Sequence, residues 1–191
     1  MEELNNDISF MTHQIYTSKE LSKLNKNAVI VELGIGNGSS PLMYEFCKNN
    51  PDSKVLSFES NSVWFEQIFE KYGNLPNYIF NLIEDWNELE SHLNEKKYDL
   101  VFVDQSPWEA RISSIDFLKD KTKVFILHDY DFYNKSENDW VLEPCNDIFI
   151  NDETSWISKK YSEEFNFEDN YDTLPPTLVM KKKIKRKTIN K

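Results

Sequence analysis

Short apolar runs alternate with longer amphipathic stretches through the first two thirds of the chain. Ala28–Leu33 (AVIVEL) is apolar and β-branched over the length of a strand. Lys54–Phe58, Tyr98–Val103 and Lys123–Leu127 repeat that pattern, with Tyr78–Leu82 a weaker copy. The intervening segments read as helices. One starts at Ser39, with Pro41 in its first turn, and runs to about Lys48. The next is capped by Asn61 and stopped by Gly73 after Tyr72. A short helix is expected over Trp86–Leu93 and a longer one over Glu109–Leu118, with Ile112, Ile115 and Leu118 on one face. Upstream, a helix is expected around Lys19–Leu24, and near the end Thr177–Lys183 reads as a last strand. Strands alternating with helices predict right-handed crossovers, a parallel sheet and helices on both faces, an α/β fold. After about Asp131 the rhythm is lost, and Tyr133–Asn170 gives no element.

A chain of 191 residues is the size of one domain, expected here over 1–180. The formal charge is −11, yet the final stretch from Lys181 holds seven basic residues and no acid. That end is expected to be a solvated, disordered tail. Without it the chain carries 15 basic against 33 acidic residues, a body that repels a phosphate backbone. Cys47 and Cys145 have no metal-ligand spacing and form no disulfide framework, and the acidic start lacks a secretory pattern. A soluble cytoplasmic protein is expected, with no membrane contact.

Four glycines occur in the chain, and Gly34, Gly36 and Gly38 fall within five residues. They sit between the first strand and the first helix, where an open α/β sheet binds ligands at its strand ends. The third glycine comes too early for a dinucleotide fingerprint, and the lysine of a phosphate loop is missing. Glu32 just before the loop suits a ligand carrying positive charge.

This segment, VELGIGNG, resembles the first motif of the class I S-adenosylmethionine-dependent methyltransferases: an acid, one residue, then G-x-G-x-G. The resemblance covers roughly residues 26–130, with Pro175–Lys183 as the last strand. It implies a Rossmann-like, mostly parallel seven-stranded sheet whose last strand is antiparallel. It also implies a donor site in the half spanning about 26–105. Glu32, Gly34, Gly36, Gly38 and Ser39 would form its loop. Glu59, with Ser60 beside it, would accept from the ribose hydroxyls. Asp85 and Trp86 would meet the adenine, and Asp104 would face the methyl group. Segments 1–25 and 131–171 would cap the substrate.

Two clusters would do the chemistry: Asp104 to Arg111 after the fourth strand, and His128-Asp129-Tyr130-Asp131 after the fifth. They are similar to sugar and small-molecule O-methyltransferases. By that resemblance Asp104 and Asp129 hold Mg²⁺ and lower the pKa of an acceptor hydroxyl. His128-Asp129 replaces the paired acids of that pattern, and a metal-free version makes His128 the general base, oriented by Asp129. Blander roles stand beside these. His128 can be a packed polar residue, Asp129 a turn cap, and Arg111 a partner for Glu109 or Asp104. The expected activity is transfer of a methyl group to a hydroxyl of a small molecule or sugar. An N-P-P-Y motif is absent, which disfavours a nucleic-acid acceptor. A protein acceptor, a non-catalytic cofactor-binding module and a homo-oligomer stay open.

Overall fold

The computed structural model describes residues 12–129, 133–135, 140–142, 160–170 and 177–184. The expected cap over 131–171 and the tail from 185 therefore lie largely outside the described residues. Five parallel strands are the apolar runs of the sequence: β1 (Val29–Leu33), β2 (Lys54–Glu59), β3 (Tyr78–Leu82), β4 (Tyr98–Val103) and β5 (Thr122–His128). A small two-stranded ribbon follows, β6 (Tyr133–Lys135) with β7 (Trp140–Leu142). β8 (Phe165–Asn170) and β9 (Thr177–Lys182) complete the main sheet, whose order is β3-β2-β1-β4-β5-β9-β8. β9 runs antiparallel to both its neighbours.

The helices are α1 (Gln14–Leu21), α2 (Ser40–Asn49), α3 (Ser62–Tyr72), α4 (Leu89–His92) and α5 (Trp108–Leu118), with a 3₁₀ turn over Trp86–Glu88. Strand side chains alternate between two cores. Val31, Leu33, Phe58, Val101, Val103 and Phe125 meet Leu89, Leu93, Ile115 and Leu118 on the α4/α5 face. Ile30, Val55, Leu100, Phe102 and Ile126 meet Leu21, Met43 and Cys47 on the α1/α2 face. Strands covered on both faces read as nearly continuous apolar runs, and β1 to β5 do so. Among the described residues no helix is long and apolar enough to cross a membrane.

Two details depart from the sequence reading. α1 begins at Gln14, five residues before the expected helix, because its buried side includes Thr17 and Glu20 and carries little apolar signal. β8 forms in a stretch that had no assignment. Ser39 sits in helical backbone at the start of α2 and makes no capping bond through its side chain. Asn61 does cap α3, accepting from the backbone N–H of Trp64 at 3.0 Å.

Candidate active site

The glycine loop leaves β1 at the carboxyl edge of the sheet, beside the ends of β2, β4 and β5. Each of its glycines has its own reason. Gly34 has φ +82°, and a Cβ there would lie 2.6 Å from the Asp104 carbonyl oxygen, so the loop is pressed onto the end of β4. A Cβ on Gly38 would lie 2.6 Å from the His13 imidazole. Only Gly36 faces open space. The loop was expected to be glycine-rich for a ligand's sake. Protein packing explains two of the three positions, and Gly36 is left for close ligand approach.

Glu32 corrects the expectation of a residue that meets ligand charge. It is fully buried, and its carboxylate accepts from Ser40 at 2.9 Å, Ser57 at 2.5 Å and Tyr78 at 2.7 Å. Ser40 Oγ in turn accepts from the Gly36 N–H at 3.1 Å. Desolvation raises the pKa of Glu32 above the usual carboxylate range, against the pull of these hydroxyls. Its job is to tie the loop to β2, β3 and α2. Ser39 and Ser40 are buried with it.

Glu59 ends β2 as expected and is nearly buried. Its Oε1 accepts from the N–H groups of Ser60 and Asn61 at 2.9 Å, and its Oε2 from Ile35 N–H at 3.3 Å. Each oxygen has two lone pairs, so capacity is left for ligand hydroxyls. Next to it lies a cavity of about 440 Å³ lined by Ser60, Asp85, Trp86, Ser106 and Pro107, among others. Asp85 caps the 3₁₀ turn, and Trp86 Nε1 donates to the Ser106 carbonyl at 2.7 Å, which joins the ends of β3 and β4. Pro107 follows a cis peptide bond. Glu84, Glu90 and Glu109 stand on the cavity wall together with Asp85, beside the Trp86, Leu89 and Phe117 side chains. Of the sequence-predicted positions, Ser60, Asp85 and Trp86 line this cavity, and Glu59 adjoins it through Ser60.

Asp104 and His128 meet beyond the loop. His128 Nδ1 lies 3.2 Å from Asp104 Oδ1, and Nε2 lies 3.4 Å from Asp129 Oδ1. Thr12 Oγ1 is 3.5 Å from the same Nε2. Burial alone would lift Asp104, but bonding to His128 and the charges of His128 and Arg111 together hold it below its ordinary pKa. Burial likewise pulls His128 down, and Asp104 and Asp129 outweigh it, so the imidazole binds its proton more tightly than usual. Asp129 is raised, chiefly by burial, and holds a left-handed backbone at φ 53°.

Arg111, the catalytic candidate on α5, reaches three groups of the protein. Nε donates to the Gln105 carbonyl at 2.8 Å, Nη1 to the His128 carbonyl, and Nη2 to Asp104 Oδ1 at 3.1 Å. It is 7 % exposed, and its bonds tie the segment after β4 to the end of β5. A residue from ahead of the first strand belongs here too. His13 is 3 % exposed, sits edge-on to His128 with ring centroids 4.4 Å apart, and is held down to about 4, first by burial and then by the His128 charge.

The metal expectation is tested by this charge balance. Potential ligand atoms of Asp104, His128 and Asp129 lie within 4.8 Å of one another. Yet Asp104 already pairs with the Arg111 guanidinium, and the His128 imidazole sits between Asp104 and Asp129. Mg²⁺ wants several oxygen ligands and no competing cation. The residues present do not fit it well, and the metal-free alternative fits them better.

No family model matches the sequence, and no curated protein matches it. Solved structures do. An S-adenosylhomocysteine-bound methyltransferase of Podospora anserina, PaMTH1, superposes with a TM-score of 0.59 at 14 % identity, covering 90 % of this chain and 78 % of its own. A Staphylococcus aureus protein named as a caffeoyl-CoA O-methyltransferase gives 0.60 at 14 %, covering 88 % and 82 %. An rRNA methylase from Streptococcus thermophilus gives 0.56 at 14 %, covering 88 % and 94 %. The sheet order, the antiparallel penultimate position of β9 and these likenesses together give the chain the fold of the class I S-adenosylmethionine-dependent methyltransferases.

Proposed function

We propose that the protein is an S-adenosylmethionine-dependent methyltransferase that acts on a hydroxyl of a small molecule or sugar, with His128 as general base. The observation that carries this reading is the contact between the two halves of the cleft: Gly34 of the loop abuts the very residue, Asp104, that steadies His128. The adenine would occupy the slot at Asp85 and Trp86, the ribose would bond Glu59, and the chain would pass Gly36 toward Asp104. When bound, the donor supplies a methyl group on a cationic sulfur.

The residues do the rest. Asp104 faces Nδ1 and favours the tautomer with its proton there, leaving Nε2 with the lone pair. Nε2 would take the acceptor's hydroxyl proton as its oxygen bonds the methyl carbon and the carbon–sulfur electron pair returns to sulfur, and the resulting imidazolium would lie between two carboxylates. Arg111 fixes the distance between the strands that carry them.

A nucleic-acid acceptor is the second reading, because an rRNA methylase is among the structural neighbours. The acidic body speaks against it. A non-catalytic binding module and a protein methyltransferase predict binding without transfer to small acceptors. The deciding experiment has two stages. Calorimetry with S-adenosylhomocysteine should show one site. Labelled methyl transfer is then compared across nucleotide sugars, simple polyols and total RNA. Transfer to RNA alone would overturn the acceptor assignment, and absence of donor binding would overturn the whole reading.

A further inference from the structure

A second cavity, of about 640 Å³, opens at the opposite end of the sheet. There β4 and β5 begin, β9 ends, and α1 finishes its course. The glycine loop and His128 lie at the other ends of the same strands, so this cavity belongs to nothing described so far. Five lysines line it, Lys23, Lys123, Lys181, Lys182 and Lys183, against two carboxylates, Glu20 and Asp99. They come from three separate parts of the chain. The remaining walls are Leu24, Val124, Ile184 and Asn25, and Ile184 is 92 % exposed.

In a chain of charge −11 such a local excess of ammonium groups is not an average property of the surface. The lysines have partners already: Lys23 and Lys181 on Glu20, Lys181 also on Glu168, Lys123 on Asp99, Lys182 on Glu164 and Asp120, and Lys183 on the Ser162 carbonyl. The open pair of Lys123 contributes only ~0–1 kcal/mol, so a multiply charged anion can replace it at little cost, and Lys23 can turn away while Lys181 stays on the buried Glu20. Side chains of Lys23 and Lys123 are 47 % and 60 % exposed and have room to turn. The volume falls inside the range of roughly 300–1,000 Å³ found for small-molecule sites.

We propose that this cavity binds a small phosphorylated molecule with an apolar or planar body, the chemistry of a nucleoside diphosphate. The phosphates would lie among Lys23, Lys123 and Lys183, and the body against Leu24, Val124 and Ile184. A long polyanion would also have to cross the acidic remainder of the surface, and a small one would not.

ADP is the probe. It is titrated calorimetrically into the full chain with S-adenosylhomocysteine already in excess, so that the adenine slot is contested. One site is expected at about 50 mM KCl, weakening markedly at about 300 mM as screening shortens. The double variant Lys123→Glu/Lys183→Glu should lose at least tenfold in affinity while its melting temperature and its response to S-adenosylhomocysteine are unchanged. Lys23→Glu, on a different element, should act in the same direction. Inorganic pyrophosphate is run in parallel and should bind more weakly than ADP; equal binding would assign the site to phosphate alone and overturn the apolar part of the proposal. Absence of heat, displacement of ADP by S-adenosylhomocysteine, or unchanged affinity in both variants would overturn it entirely. Failure of S-adenosylhomocysteine to bind would count against the methyltransferase reading only, because the lysine variants still report on ADP.

Discussion

The imidazole of His128 bridges two carboxylates, with Nδ1 3.2 Å from Asp104 and Nε2 3.4 Å from Asp129. A group held this way binds a proton more strongly than a free histidine, and the consequence is a rate that depends on pH. Only neutral His128 accepts a proton, so methyl transfer should climb as pH rises through its raised pKa, above 6.5, and then level off. His128→Gln should lower the transfer rate by about 10²–10⁴-fold and flatten that profile, with donor affinity kept. A pH–rate series on both proteins decides this. An unchanged profile in the variant would remove His128 from the chemistry.

Gly34 and Gly36 should respond in opposite ways to alanine. At Gly34 the new methyl group meets Asp104 backbone and a left-handed φ, so Gly34→Ala should cost about 1–3 kcal/mol or more in urea unfolding. At Gly36 a Cβ meets nothing within 4 Å, so Gly36→Ala should leave stability unchanged or slightly higher. Its donor affinity should fall instead, because the methyl group enters the cleft. Equal effects of the two on stability would contradict the packing described.

Glu32→Ala should be among the most destabilising substitutions in the chain. It strands three buried hydroxyls, those of Ser40, Ser57 and Tyr78, at roughly 1–3 kcal/mol for each group left unsatisfied. Tyr78→Phe removes one of those bonds and should cost far less. Denaturant midpoints measure both.

His13 should make the fold sensitive to acid. Its folded pKa of about 4 lies below the ordinary 6.5, so burial as the neutral ring contributes stability that is complete above about pH 6.5. That contribution is lost as pH falls toward 4. His13→Phe keeps an aromatic ring on Gly38 and should remove this part of the acid limb, seen by melting temperature across pH 4–7. A wild-type-like acid limb in His13→Phe would assign it to other groups.

Chelation checks the metal argument. Activity after exhaustive treatment with EDTA should match that of the untreated protein, and added Mg²⁺ should not raise it. Loss on chelation with recovery on Mg²⁺ would show that the cation displaces Arg111 and His128 from the carboxylates.

The architecture was readable because β1 to β5 are covered on both faces and so appear as unbroken apolar runs, and because Asn61 and Gly73 mark the two ends of α3 by their own chemistry. β8 was not, since FNFEDN is an edge strand that offers only Phe165 and Phe167 as alternating apolar positions. Glu59, Asp85, Asp104 and His128 could be placed from their positions at strand ends. The role of Glu32 could not, because whether a carboxylate faces ligand or core depends on Ser57 standing opposite it in the next strand and on Tyr78 one strand further. His13 lies just ahead of α1, far from the strand-end residues in sequence, and no spacing rule links it to Gly38.

The absence of a side chain at position 34 lets the loop rest directly on the peptide of Asp104. On the proposed function, holding the donor and steadying the base are therefore mechanically fused. A mutation that reshapes the loop then also nudges His128, so on that reading the two traits cannot be tuned separately by small steps. Altered acceptor choice is the freer direction for this scaffold, through side chains that touch neither strand end.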